Sequence, residues 1–200
     1  MTASKTSLRI AVDIGGTFTD MACFDEATGE ISFGKALSTH GHLHDGIQHT
    51  LDGAGVDLAN GYLFLHGSTI AINTLLERNG ANTALLITEG FRDIYEIGRV
   101  NRPDAYNLFF SKHVPLVPRS QRHEVSERLR ADGSLHKPLD EEGVRALARK
   151  LREDRIESVA VLLLHSYRNP DHERRVKAIL QEEIPGAFVT ASHELSQEYR

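Results

Sequence analysis

The chain has 200 residues, 40% hydrophobic and 26% charged, with a formal net charge of −5. That is enough apolar chain for one sizeable domain or two small ones, and an acidic balance with no basic stripe argues against a nucleic-acid partner. The single cysteine, Cys23, excludes an internal disulfide and points to a reducing cytoplasm. The opening MTASKTSLRI lacks an apolar core of signal-peptide length, and the longest apolar run, Val159 to Leu164, is too short to span a bilayer.

The first informative stretch is Leu8 to Asp25, LRIAVDIGGTFTDMACFD. Leu8, Ile10, Val12 and Ile14 alternate with short or polar residues, stop at Gly15-Gly16, and a β-prone run resumes at Phe18, which reads as strand, glycine turn, strand. A dinucleotide fingerprint or a P-loop would place its glycines before a helix, and a P-loop also needs a Lys-Ser/Thr pair; neither pattern is present. A glycine hairpin still holds anions. Glycine tolerates φ > 0 and has no Cβ, so successive N–H groups at Gly15 and Gly16 converge on a phosphate, with hydroxyls from Thr17 and Thr19 on either side. Asp13, at the end of the first strand, supplies a hard oxygen suited to Mg²⁺ through the metal's own waters, and Asp20 is a second carboxylate just beyond. The competing reading is an ordinary hairpin with a capping aspartate.

The run Asp13-Ile14-Gly15-Gly16-Thr17-Phe18-Thr19-Asp20 resembles the first phosphate loop of the actin, sugar-kinase and heat-shock-chaperone ATPase superfamily. With Phe18 and Asp20 in place it is similar to the hydantoinase/oxoprolinase family. That resemblance implies an α/β fold with a ribonuclease-H-like (actin-like ATPase) lobe whose first strands are antiparallel. It also implies ATP and Mg²⁺ as cofactors, Asp13 as the catalytic and metal-facing carboxylate, and Gly15, Gly16, Thr17, Thr19 and Asp20 around the nucleotide phosphates.

Further along, Ile31 to Leu37 alternates as a third antiparallel strand. The histidines His40, His42, His44 and His49 lie in a glycine-broken segment; the i, i+5 spacing of His44 and His49 is not a ligand spacing, and they read as a solvated surface. A short amphipathic helix through Ile47 and Leu51 is expected next. Tyr62 to His66 reads as a buried strand, turned by Gly67-Ser68-Thr69 into a helix with Ile72, Leu75 and Leu76 on one face and Gly80 just past its end. Ser68 or Thr69 is the expected N-cap. HGST with IAINTLLERNGA resembles the strand-to-helix junction of the same family, and His66, Ser68 and Thr69 are substrate or anion candidates there. A plain helix cap is the equal alternative.

Thr83 to Thr88 is the next strand. Between Glu89 and Pro138 the periodicity fails amid prolines and arginines. In GRVNRPDAYNLFF, Arg99 and Arg102 either close on an anionic substrate through the guanidinium fork or, for Arg102, pair with Asp104 at the surface. RPD, Tyr106 and the following PLVPR resemble the family and favour a substrate or interface role. From Pro138 the pattern is regular: a helix capped by Asp140 with Val144, Leu147, Ala148 and Leu151 inward, a strand from Val159, covered on both faces, a helix opened by Asn169-Pro170, and a strand at Phe188 to Thr190. This α-β-α-β unit implies parallel strands joined by a right-handed crossover. LLHSYRNPDHE resembles the family too, but His165, Tyr167 and His172 have no carboxylate at an evident spacing and read as structural. The expected organisation is a phosphate-binding lobe over 1–88, a Pro/Arg-rich insertion over 89–138, and the α-β-α-β unit over 139–200.

No second strand-Gly-Gly-Thr hairpin follows Asp25, so the chain reads as the N-terminal part of a longer subunit with half a nucleotide site. The expected partners are the remaining C-terminal lobe, a second hydantoinase-type subunit, and a small cyclic amide or ketone. The resemblance implies ATP-driven cyclic amide hydrolysis, or ketone carboxylation in related members, with the isolated fragment inactive. The alternatives are a sugar kinase of the repressor/kinase group, whose usual cysteine-rich zinc site a single cysteine rules out, and a non-catalytic nucleotide-sensing or assembly module.

Overall fold

The computed structural model describes residues 7–39, 41–98, 104 and 106–198. The chain divides into two units, Met1–Gly80 and Ala81–Arg200. In the first, strands β1 (Leu8–Ile14), β2 (Phe18–Asp25) and β3 (Ile31–Leu37) form the antiparallel meander that the alternation predicts. Helix α1 (Leu43–Ala54) follows, then β4 (Gly61–Ser68), which pairs parallel to β1, giving the order β3-β2-β1-β4. A short helix α2 (Ile70–Glu77) ends the unit.

Every second side chain of β1 and β2 faces α1, so Ile10, Val12, Ile14, Met21 and Cys23 pack with Leu51 into one core. Burial pushes the Cys23 thiol pKa up. Two glycines let the helix lie directly on the sheet. A Cβ at Gly34 would collide with the Thr50 carbonyl, and one at Gly46 would lie 2.9 Å from Thr19 Oγ1.

The opposite face is uncovered among the described residues. β4, expected as a buried strand, is exposed along nearly its whole length, with Tyr62 at 47% and Leu65 at 56%. The apolar residues of α2, Ile72, Leu75 and Leu76, are exposed as well. The apolar pattern does read as strand and helix, but no layer among the described residues covers it. α2 also ends earlier than expected: Arg78 takes the left-handed conformation at φ 55° as its C-cap, two residues before Gly80.

The second unit is built on a parallel sheet. Its strands are β5 (Thr83–Thr88), β6 (Arg122–Val125), β9 (Ser158–Leu162) and β10 (Phe188–Ala191), in the order β10-β9-β5-β6. A hairpin of β7 (Arg128–Leu129) and β8 (Leu135–Lys137) lies between β6 and β9, and helices α3 (Ile94–Ile97), α4 (Glu141–Glu153), α5 (Asp171–Glu183) and α6 (Ser192–Leu195) complete it. Asp140 caps α4, accepting from Gly143 N at 3.0 Å, and Val144, Ala148 and Leu151 turn inward beside Val176, Ile179 and Leu180 of α5. Helix α5 starts at Asp171 with Pro170 at the N-cap position, one residue later than expected, while Asn169 Oδ1 still accepts from Asp171 N at 3.0 Å, as a capping side chain does.

The organisation differs from the expected one in two respects. β5 belongs to the parallel sheet, so the break falls at Gly80 and not after Thr88. Residues 89–138 are no separate insertion, because they contribute β6 and the buried Val125 and Leu129 to the second unit. β9 is covered unequally: Val159 and Val161 are buried, while Leu162 is 44% exposed.

Candidate functional site

The turn between β1 and β2 closes through Gly15 N donating to the Phe18 carbonyl at 2.9 Å. That bond takes the Gly15 amide out of any anion cradle. The N–H groups of Gly16 and Thr17 make no hydrogen bond among the described residues. Neither glycine has positive φ. The expected need for φ > 0 is therefore replaced by a need for space: a Cβ on Gly15 would sit 3.0 Å from the Phe18 carbonyl oxygen, and one on Gly16 would sit 3.0 Å from the Asn73 side-chain amide.

Register places the carboxylates. Asp13 pairs with Asp20 across β1 and β2, and Asp20 pairs with Lys35 across β2 and β3. All three line a cavity of about 710 Å³ on the sheet face opposite α1, together with His66, Gly67, Leu65, Ala22 and Phe33. Lys35 Nζ donates to Asp20 Oδ1 at 2.8 Å and lies 4.7 Å from the centre of the Phe18 ring. Gly67 pairs with Asp13, and a Cβ there would lie 3.4 Å from Asp13 Oδ1.

The start of α2 reaches the same turn. Thr69 N donates to the Ile14 carbonyl at 3.1 Å, and Asn73 Nδ2 donates to Thr69 Oγ1 at 3.3 Å. Ser68 Oγ accepts from Ile70 N at 3.3 Å, while Thr69, the N-cap by position, makes no side-chain cap bond. Asp13, Asp20 and His66 thus line the cavity, while Gly15, Gly16, Thr17, Ser68 and Thr69 lie next to it along the chain, in the turn and at the start of α2, and are not among its lining residues.

Thr19 is turned away from it. One residue out of phase with Asp20, its side chain points beneath α1, is fully buried, and bonds Ser38 Oγ at 3.1 Å. Ser38 Oγ in turn donates to the Gly15 carbonyl at 2.8 Å, so Thr19 supports the turn from behind and does not face the cavity. Arg99, Arg102 and His40 lie outside the described residues. His44 Nε2 contacts its neighbour Asp45 at 3.0 Å, and no group of three or more His, Cys, Asp or Glu able to hold a metal occurs among the described residues.

Three contributors were not singled out in the sequence, Lys35, Ser38 and Asn73, and Gly67 reads there only as part of a turn. Strand parity from Asp20 points to Lys35, and Asn73 lies one helical turn after Thr69. In the second unit, His172 Nδ1 lies 2.6 Å from Glu127 Oε2, a fully buried carboxylate that also accepts from Thr88 Oγ1. Glu173, also fully buried, accepts from Leu163 N, Ser192 Oγ, His193 N and His193 Nδ1 at 2.7–3.0 Å. Both carboxylates join the loops at the carboxyl ends of the parallel strands.

A glycine-turn hairpin with paired carboxylates, a parallel fourth strand and a helix start beside the turn define the first unit as a mixed α/β fold. The chain belongs to the hydantoinase/oxoprolinase N-terminal region family, whose profile matches residues 9–184. It is 33% identical to the caprolactamase subunit alpha of Pseudomonas jessenii over 98% of this chain and 30% of that protein. To the 5-oxoprolinase of Saccharomyces cerevisiae it is 32% identical over 96% of this chain and 18% of the relative. A solved nucleotide-free structure of acetone carboxylase, described as carrying out ATP-dependent acetone carboxylation, superposes with a TM-score of 0.81 at 29% identity, over 97% of this chain and 30% of that one. The chain therefore spans less than a third of these relatives.

Proposed function

We propose that this chain is the phosphate-holding part of an ATP-dependent enzyme that opens cyclic amides, with ketone carboxylation as the variant chemistry of the same family. The observation that carries the reading is Asp13 paired with Asp20 at the strand end, followed by the Gly16 and Thr17 amides, which make no hydrogen bond among the described residues, with the start of α2 tied to the end of β1 through Thr69 N and the Ile14 carbonyl. Amides facing a ligand and a helix start suit a polyphosphate, and phosphoryl transfer asks mainly for positioning and charge neutralisation. Phosphorylating a carbonyl oxygen would turn an unreactive amide or ketone into an activated species.

The order β3-β2-β1-β4, antiparallel except for β4 and covered by α1, supports a ribonuclease-H-like lobe of the actin type. Magnesium fits the donor set: Mg²⁺ keeps several waters and takes one or two carboxylates plus phosphate oxygens, so Asp13, with Asp20 beside it, is enough without a closed protein cage. Bound there, the ion would neutralise phosphate charge. His66, Ser68 and Thr69, with Arg99 and Arg102, are the substrate candidates. Relatives named as alpha, beta and gamma subunits support a second subunit as partner, and the length of the relatives supports a C-terminal lobe that completes the nucleotide site. The buried, unpaired Cys23 and the lack, among the described residues, of any helix able to cross a membrane support a cytoplasmic location.

The test is calorimetric titration of the complete subunit with Mg-ATP, alongside ATPase assays and thermal melts. Asp13→Ala is expected to abolish hydrolysis with an unchanged melt, because Asp13 is an exposed residue outside the core. Gly16→Val is expected to abolish binding, since its branched side chain enters the space of Asn73 and the cradle together. Normal ATP turnover by Asp13→Ala, or normal binding by Gly16→Val, would overturn the reading.

A further inference from the structure

The row Asp13, Asp20, Lys35 crosses three neighbouring strands at one level on the open face of the first sheet. Two carboxylates directly opposite each other on antiparallel strands repel, and a polyanion approaching them meets two negative charges. Lys35 is the one cation lining that cavity among the described residues. Its amine is held at 2.8 Å from Asp20 and over the ring of Phe18, the first residue of β2 after the glycine turn. The pair is solvent-exposed, with side chains 58% and 56% accessible. Exposed ion pairs hold their partners weakly, and a lysine amine on a flexible stem exchanges them readily.

We infer that Lys35 is a phosphate-binding residue, parked on Asp20 until a polyphosphate enters and then donating to a phosphate oxygen. The inference rests on the phosphate-site reading above and adds a cationic side chain to it. Asp20 has two tasks under this assignment: it holds the amine on the turn side of the cavity, and it is left with a free carboxylate when the amine moves. Lys35 lies on β3, an edge strand of this sheet, and its exposed side chain is no part of the core packed under α1, so it can be changed without touching that core.

The experiment is calorimetric titration of the complete subunit with two probes, Mg-ATP and magnesium tripolyphosphate, the second presenting phosphates without adenosine. The variants are Lys35→Met, Lys35→Arg, Asp20→Asn and the double Asp20→Asn/Lys35→Met, with Gly16→Val as the cradle control. Lys35→Met is expected to weaken both probes about tenfold, the equivalent of roughly 1.4 kcal/mol, and Lys35→Arg to restore most of the affinity. The double variant should bind no more tightly than Lys35→Met. Wild-type affinity in Lys35→Met would overturn the assignment, and so would recovery in the double variant, which would reduce Lys35 to a counter-ion for Asp20. If Gly16→Val binds both probes normally, or wild type binds neither, the phosphate-site reading itself falls. Loss in Gly16→Val with none in Lys35→Met overturns only the role of the lysine.

Discussion

Ser38 is the hinge of a short chain of hydroxyls, and replacing it by alanine makes a prediction with two separable parts. Its Oγ donates to the Gly15 carbonyl at 2.8 Å and bonds Thr19 Oγ1 at 3.1 Å. Ser38→Ala deletes the first bond, worth about 1 kcal/mol net, and strands a hydroxyl on a fully buried residue, which costs a further ~1–3 kcal/mol. The expected destabilisation is therefore about 2–4 kcal/mol. Thr19→Val should cost less, about 1 kcal/mol, because it removes the buried polar group and leaves Ser38 on Gly15. In the double variant nothing is stranded, so it should be more stable than Ser38→Ala alone. Urea unfolding followed by circular dichroism, with slopes held equal across the series, gives the order. The same variants titrated with Mg-ATP should show Ser38→Ala weaker than Thr19→Val, since only Ser38 holds the turn's carbonyl. A Thr19→Val protein at least as destabilised as Ser38→Ala would refute the reasoning.

Two further outcomes are expected in the second unit. His172→Ala leaves the fully buried Glu127 without its imidazole partner and should destabilise the protein by about 3 kcal/mol in urea unfolding; Glu127→Gln in the same background should recover part of the loss by removing the charge. His123 is held below its ordinary pKa of 6.5, first by burial and then by the nearby Lys150 and Arg92 charges. The unfolded chain then binds the proton more readily, so its stabilising contribution is full above pH 6.5 and is lost as pH falls through the lowered folded value. His123→Phe should flatten that part of the pH–stability curve, and an unchanged slope would remove His123 from the account.

Local signals carried the parts of the fold that depend on neighbours in sequence. The β1–β2 hairpin follows from strict alternation interrupted by Gly-Gly, and α4 follows from Asp140 and its apolar stripe. The crossover through α5 follows from one apolar strand and an Asn-Pro helix start. What needed the third dimension was partnership. Tyr62 to Leu65 is apolar enough to be core, yet burial is decided by the layer laid against a strand, and sequence does not say which layer that is. Thr19 looked equivalent to Thr17 because parity across a turn depends on register, and the Gly15–Phe18 bond sets it. His172 and Glu127 are 45 residues apart, so no local spacing joins them. Lys35 was legible only once Asp20 had been placed, because its role comes from the strand beside it.

The outer edge of β4 has a consequence for handling the protein. β4 ends the order β3-β2-β1-β4, so one row of its N–H and C=O groups is unpaired among the described residues, and its YLFL segment carries no charge or proline to discourage pairing. Such an edge is a template for another strand and, in concentrated solution, for self-association into extended sheets. Solubility should therefore depend on whatever occupies that edge. A lysine at Leu63 or Leu65 would act as a gatekeeper against precipitation where nothing does.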